Sequence, residues 1–501
     1  MYLWTELKES NKKTTMSQEI RNLEPKNLWN KFADLNAVPR PSKKEDRVIQ
    51  FMKDYGNALG LETFEDEIRN VIIRKPATAG MENRKPIVLQ GHLDMVHQKN
   101  ADTVFDFDSQ GIDMYVDGDW VRARGTTLGA DNGLGVAMIM AILESKEIAH
   151  PDIEALFTID EETGMTGALN LKGGILKGEI LLNMDTEEDD EIDIGCAGGI
   201  DVTATRSYKV EETPEHSVGY TITVKGLNGG HSGIDIHKGL GNANKIMNRL
   251  LFNAFENFGL QVAEINGGSL RNAIPRESVA KVVVAAMYDE AYLFDMQKII
   301  TDIKTEFKTT EPNLSIEIVK SDLPKNVMDL GVQEGIIRAI YAAQNGVYRM
   351  SATMEDLVET SNNIARVVIK EGEILIGCLT RSSVETSKFD LANSLRSAFE
   401  LVGCEVVFGG NYPGWTPNVQ SEILDVLSEI YEKQNGEKAK IVACHAGLEC
   451  GILGVNYPDM DMISFGPTIH GAHSPDERAS IKSSQKFYKF VIEILENIPV
   501  K

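Results

Sequence analysis

Three short apolar segments of the chain end in side chains that can bind metal ions or carry protons. They are residues 86–90 (PIVLQ) before His92, residues 153–159 (IEALFTI) before Asp160, Glu161 and Glu162, and residues 180–184 (ILLNM) before Asp185. Apolar runs of this length that alternate with helical stretches are typical of a mostly parallel sheet with helices on its faces. Ligands of such sheets bind beyond the carboxyl ends of the strands, so we expect these side chains to meet at one edge.

His92 and Asp94 are two residues apart, so in an extended strand both side chains point to the same side. A carboxylate in that position can hold the imidazole in one tautomer while the other ring nitrogen binds a metal ion. The pair by itself also fits an ordinary structural histidine.

Asp131 opens residues 131–145 (DNGLGVAMIMAILES), which are small and apolar enough to form a buried helix. An aspartate at such a place is normally an N-cap. The alternative is a carboxylate that uses its two oxygens to bridge two cations.

Asp160, Glu161 and Glu162 put three acids side by side after an apolar strand. Carboxylates this close raise each other's pKa and destabilise the fold unless a cation lies between them. A solvated acidic turn is the alternative, but the apolar strand before the acids favours a buried site. The acids from Glu187 to Glu191 resemble a solvated run, and we assign them no chemistry.

His473 lies in HGAHSPDE before the last predicted helix, where His470 competes with it as a ligand. Histidine and carboxylate ligands together suit zinc, with manganese or cobalt as alternatives. Two such cations about 3.5–4 Å apart, bridged by one carboxylate, form a hydrolytic site. A spare glutamate beside them can deprotonate the bridging water.

The composition restricts the class of protein and its partners. The chain has 501 residues, with 51 basic and 75 acidic side chains, which gives a formal charge of −24. With 42% hydrophobic and 25% charged residues, it has the composition of an ordinary globular protein. The acidic surplus argues against nucleic acid or an anionic membrane as a partner, because both would repel it.

Cysteine use and the N-terminus predict a cytoplasmic protein. The five cysteines are odd in number and form no CxxC motif, which favours reduced thiols. No apolar stretch approaches the roughly 18 residues that a membrane span needs. Residues 1–15 contain no apolar segment of a signal peptide, and Met16 opens a more natural start.

Two different patterns of predicted secondary structure position these residues. Ser42 and Glu45 form a predicted capping box for a helix that ends at Gly60. An α+β pattern of strands and helices occupies the middle of the chain, and this pattern can be divided into two similar halves. We therefore predict an α/β domain built from residues 16–198 and 413–501, with a mostly parallel sheet flanked by helices, and an inserted α+β domain at 199–412.

Five ordered site motifs resemble the co-catalytic metallopeptidases that include carboxypeptidase G, tripeptidase T and carnosinase. They are GHLDMV (91–96), LGADNG (128–133), DEETGMTGA (160–168), LNMDTEE (182–188) and HSPDE (473–477). Three further segments resemble the aminoacyl-histidine dipeptidases of that group: GGHSGIDIHKG (229–239), GGSLRNAIPRE (267–277) and HAGLECG (445–451). The resemblance runs from about residue 22 to the C-terminus and implies a zinc-peptidase catalytic domain with an inserted lid and dimerisation domain.

The resemblance also implies roles for individual residues. One metal ion would be held by His92, Asp131 and Asp185, and the other by Asp131, Glu162 and His473. Glu161 would be the general base, and Asp94 would orient His92. Outside the metal site, His231 would reach from one subunit into its partner's active site and stabilise the oxyanion. Asn272, Arg381 and Gly447 would meet the substrate's backbone and terminal carboxylate. His237, His445 and His470 would be structural or would support the ligands.

The function implied by the resemblance is hydrolysis of Xaa-His (carnosine-like) and related unblocked dipeptides. A hydroxide bridging two zinc ions would attack the peptide, with cobalt or manganese as substitutes and Glu161 as the base. A homodimer would form through the inserted domain. A tripeptidase or an N-acyl amino-acid deacylase shares the site motifs and is the alternative within enzymes. A non-catalytic scaffold would be expected to have lost metal ligands, and none is substituted here.

Overall fold

The structure is a computed structural model, and it describes residues 18–501. The predicted start at Met16 and the reading of residues 1–15 lie outside the described residues. The helices are α1 Lys26–Asn36, α2 Asp46–Ala58, α3 Ala130–Glu144, α4 Glu161–Gly164, α5 Thr166–Asn170, α6 Ala243–Phe258, α7 Asp289–Glu306, α8 Leu330–Ala342, α9 Glu385–Glu400, α10 Glu422–Asn435, α11 Glu449–Asn456 and α12 Ile481–Glu496.

The strands of the described residues are numbered in chain order. They are β1 Glu62–Glu65, β2 Val71–Lys75, β3 Ile87–His92, β4 Met114–Asp117, β5 Trp120–Ala123, β6 Ile153–Thr158, β7 Ile180–Asn183, β8 Glu191–Cys196, β9 Gly198–Ser207, β10 Val210–Glu212, β11 Ser217–Lys225, β12 Gln261–Gly267, β13 Ser278–Ala285, β14 Ser315–Ser321, β15 Asn326–Met328, β16 Gly346–Met350, β17 Val358–Lys370, β18 Glu373–Ser382, β19 Glu405–Tyr412, β20 Lys440–Cys444, β21 Asp461–Ser464, β22 Ile469–His470 and β23 Arg478–Ser480.

The chain forms two compact units. The first contains the residues up to Gly195 together with Pro417–Ala443 and Leu448–Lys501, and the second contains Cys196–Thr416 and Cys444–Gly447. The sequence places the breaks at 198/199 and 412/413, a few residues from those of the structure. The short return segment 444–447, with Gly447, belongs to the second unit rather than to the first.

An eight-stranded sheet forms the centre of the first unit, in the order β1-β2-β6-β3-β7-β21-β8-β20. The four adjacent strands β6, β3, β7 and β21 are parallel, whereas β2 runs antiparallel to β6 and β8 antiparallel to β21. Strands β3, β6 and β7 are buried along their whole length, as expected for strands covered on both faces. The predicted α/β class with a mostly parallel central region is confirmed.

Helix α3 is the buried helix that the sequence predicts. Every residue from Asn132 to Leu143 is buried, because the segment is apolar all round rather than on one face. Asp131 and Asn132 have non-helical backbone angles, so regular helix begins after them. Asp131 is therefore held at the entrance of the helix.

The predicted capping box of α2 is wrong. The helix begins at Asp46, and its N-terminus has no side-chain cap. Ser42 instead donates its hydroxyl to Asp94 at 2.8 Å, and Glu45 accepts the backbone N–H groups of Lys43 at 2.8 Å and Asp160 at 3.2 Å. The two residues with the capping pattern thus tie this region to the segments that carry the candidate site.

The second unit contains a sheet in the order β14-β11-β13-β12-β17-β18-β9-β19, with β16 paired to β17. The order strand, helix, two strands, helix, strand is found in β11-α6-β12-β13-α7-β14. It recurs in β9-α8-β17-β18-α9-β19, where the first series, β10 and β15 lie between β9 and α8, and β16 lies between α8 and β17. The two halves have mirrored strand orders and join through the antiparallel pair β12 and β17. This topology agrees with the two similar halves read from the sequence.

Among the described residues, no helix combines the length and apolar character that a bilayer span requires.

Candidate active site

The carboxyl ends of neighbouring strands bring the predicted metal-binding side chains together. His92 ends β3, Glu162 lies in α4 just beyond β6, and Asp185 follows β7. Among the described residues, four sets of three have ligand atoms within 4.8 Å of one another, and two of them are the predicted ligand sets: His92, Asp131 and Asp185, and Asp131, Glu162 and His473. Asp131 belongs to both sets.

The two oxygens of Asp131 face different histidines. Its Oδ1 is 3.2 Å from Nε2 of His92, and its Oδ2 is 3.2 Å from Nε2 of His473. His92 Nε2 also lies 3.4 Å from Asp185, and His473 Nε2 lies 3.0 Å from Glu162. This is the arrangement of a carboxylate that can bridge two cations, each with one histidine and one further carboxylate.

Two buried carboxylate oxygens of the donor set also favour the binding of metal ions. Glu162 Oε1 and Asp185 Oδ1 are buried, and neither has a hydrogen-bond partner. A buried carboxylate oxygen without a partner is costly, and a cation would satisfy both atoms. The mixed nitrogen and oxygen ligands suit zinc, cobalt or manganese.

Burial and crowding of like charges perturb the ionisation of this site. Burial, together with the nearby charges of Asp131 and Glu162, raises the pKa of Asp185 to about 6. Hydrogen bonds to Asp131 and Glu162 raise the pKa of His473 to about 11. Burial opposes ionisation of Asp131, but His473 and His92 together hold its pKa below the ordinary value. The two imidazoles thus supply positive charge beside Asp131, which is the role that metal ions would take over.

Glu161 lies beside the ligands without belonging to either set of three that contains Asp131. Its side chain comes within 4.8 Å of ligand atoms of His92 and Glu162. Burial raises its pKa well above the ordinary value, and the charges of Asp185 and Glu449 add to the effect. A carboxylate with a raised pKa next to a hydrolytic centre is suited to accepting and returning a proton.

Asp94 connects the end of β3 to the start of α4. Its carboxylate accepts the backbone N–H groups of Glu161 at 3.0 Å and Glu162 at 3.3 Å. His92 Nδ1 lies 3.2 Å from the carbonyl oxygen of Asp94 and 3.4 Å from its Oδ1. Asp94 therefore contacts both the imidazole and the turn that carries Glu161.

Glu477 and Arg40 hold the loop before Asp131, and sequence reasoning missed both. The carboxylate of Glu477 accepts the four consecutive backbone N–H groups of residues 128–131, at distances from 2.7 to 3.2 Å. Arg40 donates to the carbonyl oxygen of Gly129 at 2.5 Å and to that of Asp94 at 3.0 Å. Glu477 stands in the HSPDE motif, so its position was visible, but its partners lie more than 340 residues away. Arg40 has no local pattern that signals its role.

The predicted solvated run from Glu187 to Glu191 is wrong. These residues are partly buried, and burial raises the pKa of Glu187 to about 8, with Asp131 adding to the effect. Asp189 pairs with Lys486 at 2.9 Å, and Asp190 pairs with Lys440 at 2.7 Å. Glu187 is therefore a carboxyl group near the metal-binding set that holds its proton more tightly than an ordinary glutamate.

His470 does not join the metal-binding sets. Its ring packs against Trp120 with a centroid distance of 5.1 Å, and its Nε2 lies 3.6 Å from Glu188. The competition between His470 and His473 is thereby resolved in favour of His473 as the side chain that approaches Asp131.

The second unit brings His231 and Arg381 together. Arg381 is 4% exposed and donates to Tyr412 Oη at 2.8 Å, and its Nη2 lies 3.4 Å from His231 Nε2. No carboxylate of the described residues lies within ion-pair distance of this guanidinium. A buried cation without a counter-ion is costly, so this place favours an anion.

N–H donors face both ring nitrogens of His231. Its Nδ1 accepts the backbone N–H groups of Gly233 at 3.2 Å and Ile234 at 3.1 Å, whereas Nη2 of Arg381, which can only donate, faces Nε2. Burial and the nearby Arg381 lower the pKa of His231 to about 4, so the ring is neutral. A neutral ring accepts at one nitrogen only, and the two backbone donors at Nδ1 favour the tautomer with its proton on Nε2.

Asn272 and Gly447 lie in the same unit as His231. Asn272 is exposed, and its carbonyl oxygen accepts the N–H of Ser232, next to His231, at 2.8 Å. Gly447 is the last residue of the return segment 444–447, which also carries His445. His445 is buried, and its Nε2 lies 2.8 Å from Ser361 Oγ.

Comparisons with known proteins cover most of the chain. Residues 88–497 match the model of peptidase family M20/M25/M40. A protein of Escherichia coli named cytosol non-specific dipeptidase is 42% identical over 96% of this chain and 100% of its own length.

Solved structures agree with this match at the level of the fold. The aminoacylhistidine dipeptidase of Vibrio alginolyticus is 44% identical, with a TM-score of 0.92 over 96% of this chain and 99% of that one. The aminopeptidase PepT of Bacillus cereus, at 16% identity and a TM-score of 0.56 over 95% and 99% of the two chains, shares the fold.

Proposed function

The chain belongs to peptidase family M20/M25/M40, and on that premise we propose that it is a metal-dependent dipeptidase. Its preferred substrates are unblocked dipeptides of the Xaa-His type, including carnosine-like peptides. The observation that carries the proposal is the position of Asp131 between two histidines, with Glu161 beside the same carboxylates. The name of the relative from Escherichia coli supports dipeptides as substrates, and the name of the relative from Vibrio alginolyticus supports the Xaa-His type.

Two zinc ions are the proposed cofactors, with cobalt or manganese as substitutes. His92, Asp131 and Asp185 would hold one ion, and Asp131, Glu162 and His473 the other. When bound, the ions would supply Lewis-acid activation of the peptide carbonyl and of the attacking water. The unsatisfied oxygens of Glu162 and Asp185 support this assignment.

Glu161 is the proposed general base. Its carboxylate takes a proton from the water that attacks the peptide bond and later gives a proton to the leaving amine. Its raised pKa makes the carboxylate a stronger base for the first step, and the carboxylic acid formed there is still acidic enough to protonate the leaving amine, which is the stronger base. Asp94 positions the turn of Glu161 and the ring of His92.

His231 and Arg381 are the proposed anion-recognition residues. A neutral His231 with its proton on Nε2 is suited to donating a hydrogen bond to the oxyanion of the tetrahedral intermediate. Arg381 is suited to the terminal carboxylate of the peptide, because a planar guanidinium can bind a carboxylate through two hydrogen bonds. Asn272 and Gly447 are proposed to contact the substrate backbone.

We also propose a cytoplasmic homodimer that forms through the inserted unit and in which His231 acts on the partner's active site. The name of the relative from Escherichia coli places that protein in the cytosol, and the reduced-thiol pattern of this chain agrees with the same location.

A substrate panel on metal-analysed protein tests the function. It comprises Leu-His, carnosine, a non-histidine dipeptide, a tripeptide and N-acetyl amino acids, each with the zinc-loaded and the chelated protein. We expect the highest kcat/KM with Xaa-His dipeptides and no turnover after chelation. Faster cleavage of the tripeptide or of the N-acetyl amino acids would replace the dipeptidase assignment, and full activity of the chelated protein would contradict metal dependence.

A further inference from the structure

A row of polar side chains crosses the buried sheet of the first unit directly before the metal ligands. Gln90 on β3, Asn183 on β7, Ser464 on β21 and Asp193 on β8 are register partners on neighbouring strands. None of the four is more than 6% exposed. We call these four residues, together with Thr186, the polar row. Such a row is unusual in the buried centre of a sheet, and it needs internal hydrogen bonds to be tolerated.

The polar row is hydrogen-bonded from end to end. Gln90 Oε1 accepts from Asn183 Nδ2 at 2.5 Å, and Asn183 Oδ1 accepts from Ser464 Oγ at 2.5 Å. Thr186 Oγ1 lies 2.9 Å from Ser464 Oγ and 3.0 Å from Asp193 Oδ2. The polar row therefore fixes the relative positions of four adjacent strands near their carboxyl ends.

Glu449, the first residue of α11, closes this row at the side of β3 and β6. Its Oε2 accepts from Gln90 Nε2 at 2.6 Å and from Thr158 Oγ1 at 2.7 Å. Glu449 is 1% exposed, and its other oxygen has no hydrogen-bond partner. A buried charged side chain with one unsatisfied oxygen is expensive, so its retention needs a reason.

The positions of its two partners supply that reason. Gln90 stands two residues before His92 on β3, and Thr158 ends β6 directly before the turn that carries Glu161 and Glu162. Because one oxygen binds both partners, any displacement of Glu449 would move the ends of two neighbouring strands relative to each other. The ligand His92 and the turn of Glu162 project from those two ends.

The donor directions along the polar row show how Glu449 takes part. Five contacts join Asp193 to Glu449 through Thr186, Ser464, Asn183 and Gln90. The two amides are oriented with their N–H groups toward Glu449, which makes Glu449 an acceptor. At the other end, the Thr186 hydroxyl donates to Asp193.

We propose that Glu449 is a positioning residue for the two-metal site, acting through Gln90 and Thr158 on the strand ends that carry His92 and Glu162. The proposal rests on the proposed metal-dependent function for its purpose. Its geometric content is independent of the substrate, because it concerns how the protein's own ligands are held. Supporting residues of this kind typically alter metal affinity or activity by about 10–100-fold when they are removed.

Glu449→Gln and Glu449→Met distinguish a positioning role from simple filling of space. The amide oxygen of the introduced glutamine can accept both hydrogen bonds, whereas the methionine leaves Gln90 and Thr158 without an acceptor. For Glu449→Met we expect zinc affinity, measured by chelator competition, to fall about 10–100-fold, with an altered visible absorption spectrum of the cobalt-substituted protein. For Glu449→Gln we expect both readouts to stay near those of the wild type.

Two further variants keep the test decisive. Thr158→Val removes one of the two donors with little change in volume, and we expect a smaller loss of zinc affinity in the same direction, even where Glu449→Met folds poorly. Asp193→Asn at the far end of the polar row keeps an oxygen that can accept from Thr186, and it should leave zinc affinity unchanged.

Zinc affinity and a cobalt spectrum like those of the wild type in Glu449→Met, with only its melting temperature lowered, would overturn the proposal. A loss in Glu449→Gln as large as that in Glu449→Met would also overturn it, because hydrogen-bond acceptance would then not be the cause. Failure of the wild type on every peptide would contradict the proposed dipeptidase function while leaving these metal-binding results interpretable.

Discussion

At the scale of single residues, the site works by dividing tasks among side chains of the same type. Asp131 has its two oxygens directed at two histidines, Asp94 accepts backbone N–H groups, and Glu161 has a raised pKa. These differences come from the neighbours of each carboxylate, since the chemical group is the same. The environment thus suits one carboxylate to bridging cations, one to holding the turn and one to moving protons.

Replacement of Glu161 by glutamine should separate proton transfer from metal binding. Glutamine keeps the size of the side chain but cannot accept a proton from water, so we expect kcat to fall by about 10²–10⁴-fold. Because Glu161 lies outside the two ligand sets that share Asp131, metal content should remain at about two ions per chain. The measurements are steady-state kinetics with Leu-His and elemental analysis of the same samples.

Glu188→Gln is the matched control for that experiment. Glu188 is a nearby carboxylate that lies 3.6 Å from His470 and outside the metal-binding sets. Its replacement should leave kcat and metal content unchanged. Substantial turnover by Glu161→Gln with full metal content would remove Glu161 from the role of base.

At the scale of secondary structure, close packing of α3 against the end of β7 sets the position of Asp131. A Cβ atom on Gly135 would overlap the carbonyl oxygen of Met184, directly before Asp185. No side chain fits there unless the helix moves away from the strand end. Since Asp131 stands at the start of this helix, such a shift would move one metal ligand relative to another.

Gly135→Ala should therefore destabilise the protein, although alanine favours helices. We expect a loss of about 1–3 kcal/mol in the free energy of unfolding, as for other overpacked cores, together with weaker zinc binding. Gly454→Ala in α11 is the control, because its Cβ would meet nothing closer than 3.9 Å. That change should be neutral or stabilising by up to about 1 kcal/mol. Equal thermal stability of Gly135→Ala and wild type would contradict the packing argument.

The secondary structure also shows which features can be predicted from local sequence patterns. The apolar strands, the buried helix and the α+β middle of the chain follow from hydrophobic patterning, because burial is encoded by residue type along a short stretch. The capping box fails because long-range partners compete for it: Ser42 donates to Asp94, and Glu45 accepts from Asp160. The spacing of residues along the sequence cannot reveal which distant group will form a hydrogen bond with a side chain.

The same limit applies to the candidate site. The metal-binding side chains were visible because each follows an apolar run or stands in a motif. Glu449 and Glu477 were not assigned, although both lie in quoted motifs, because their partners are 359 residues away for Gln90 and 346 for Asp131. Residues that act on other protein groups, rather than on a ligand, need the fold before their role can be read.

At the scale of the whole molecule, the formal charge of −24 has a local component that matters for stability. Several carboxyl groups of the first unit are buried near the candidate metal ions, and burial raises the pKa of Glu449 and of Glu477 to about 7. The remaining acids are largely at the surface, where they form ion pairs or face solvent. Buried acid, rather than total acid, makes the fold sensitive to metal and to pH.

Metal-free protein should lose stability as the pH rises. A carboxyl group whose pKa is higher in the folded than in the unfolded state binds its proton more tightly when folded, so its contribution falls between the two values. For Glu449 and Glu477 that interval runs from 4.5 to about 7. Two bound cations favour the ionised carboxylates and oppose this loss of stability, and their contribution grows as their ligands lose protons.

We therefore expect the difference in melting temperature between zinc-loaded and chelated protein to increase from about pH 5 to about pH 8, as measured by differential scanning calorimetry. The Glu449→Gln variant, which cannot ionise at that position, should lose less stability over the same interval when chelated. A difference in melting temperature that shrinks with rising pH would show that the buried carboxyls are not the groups that metal binding stabilises.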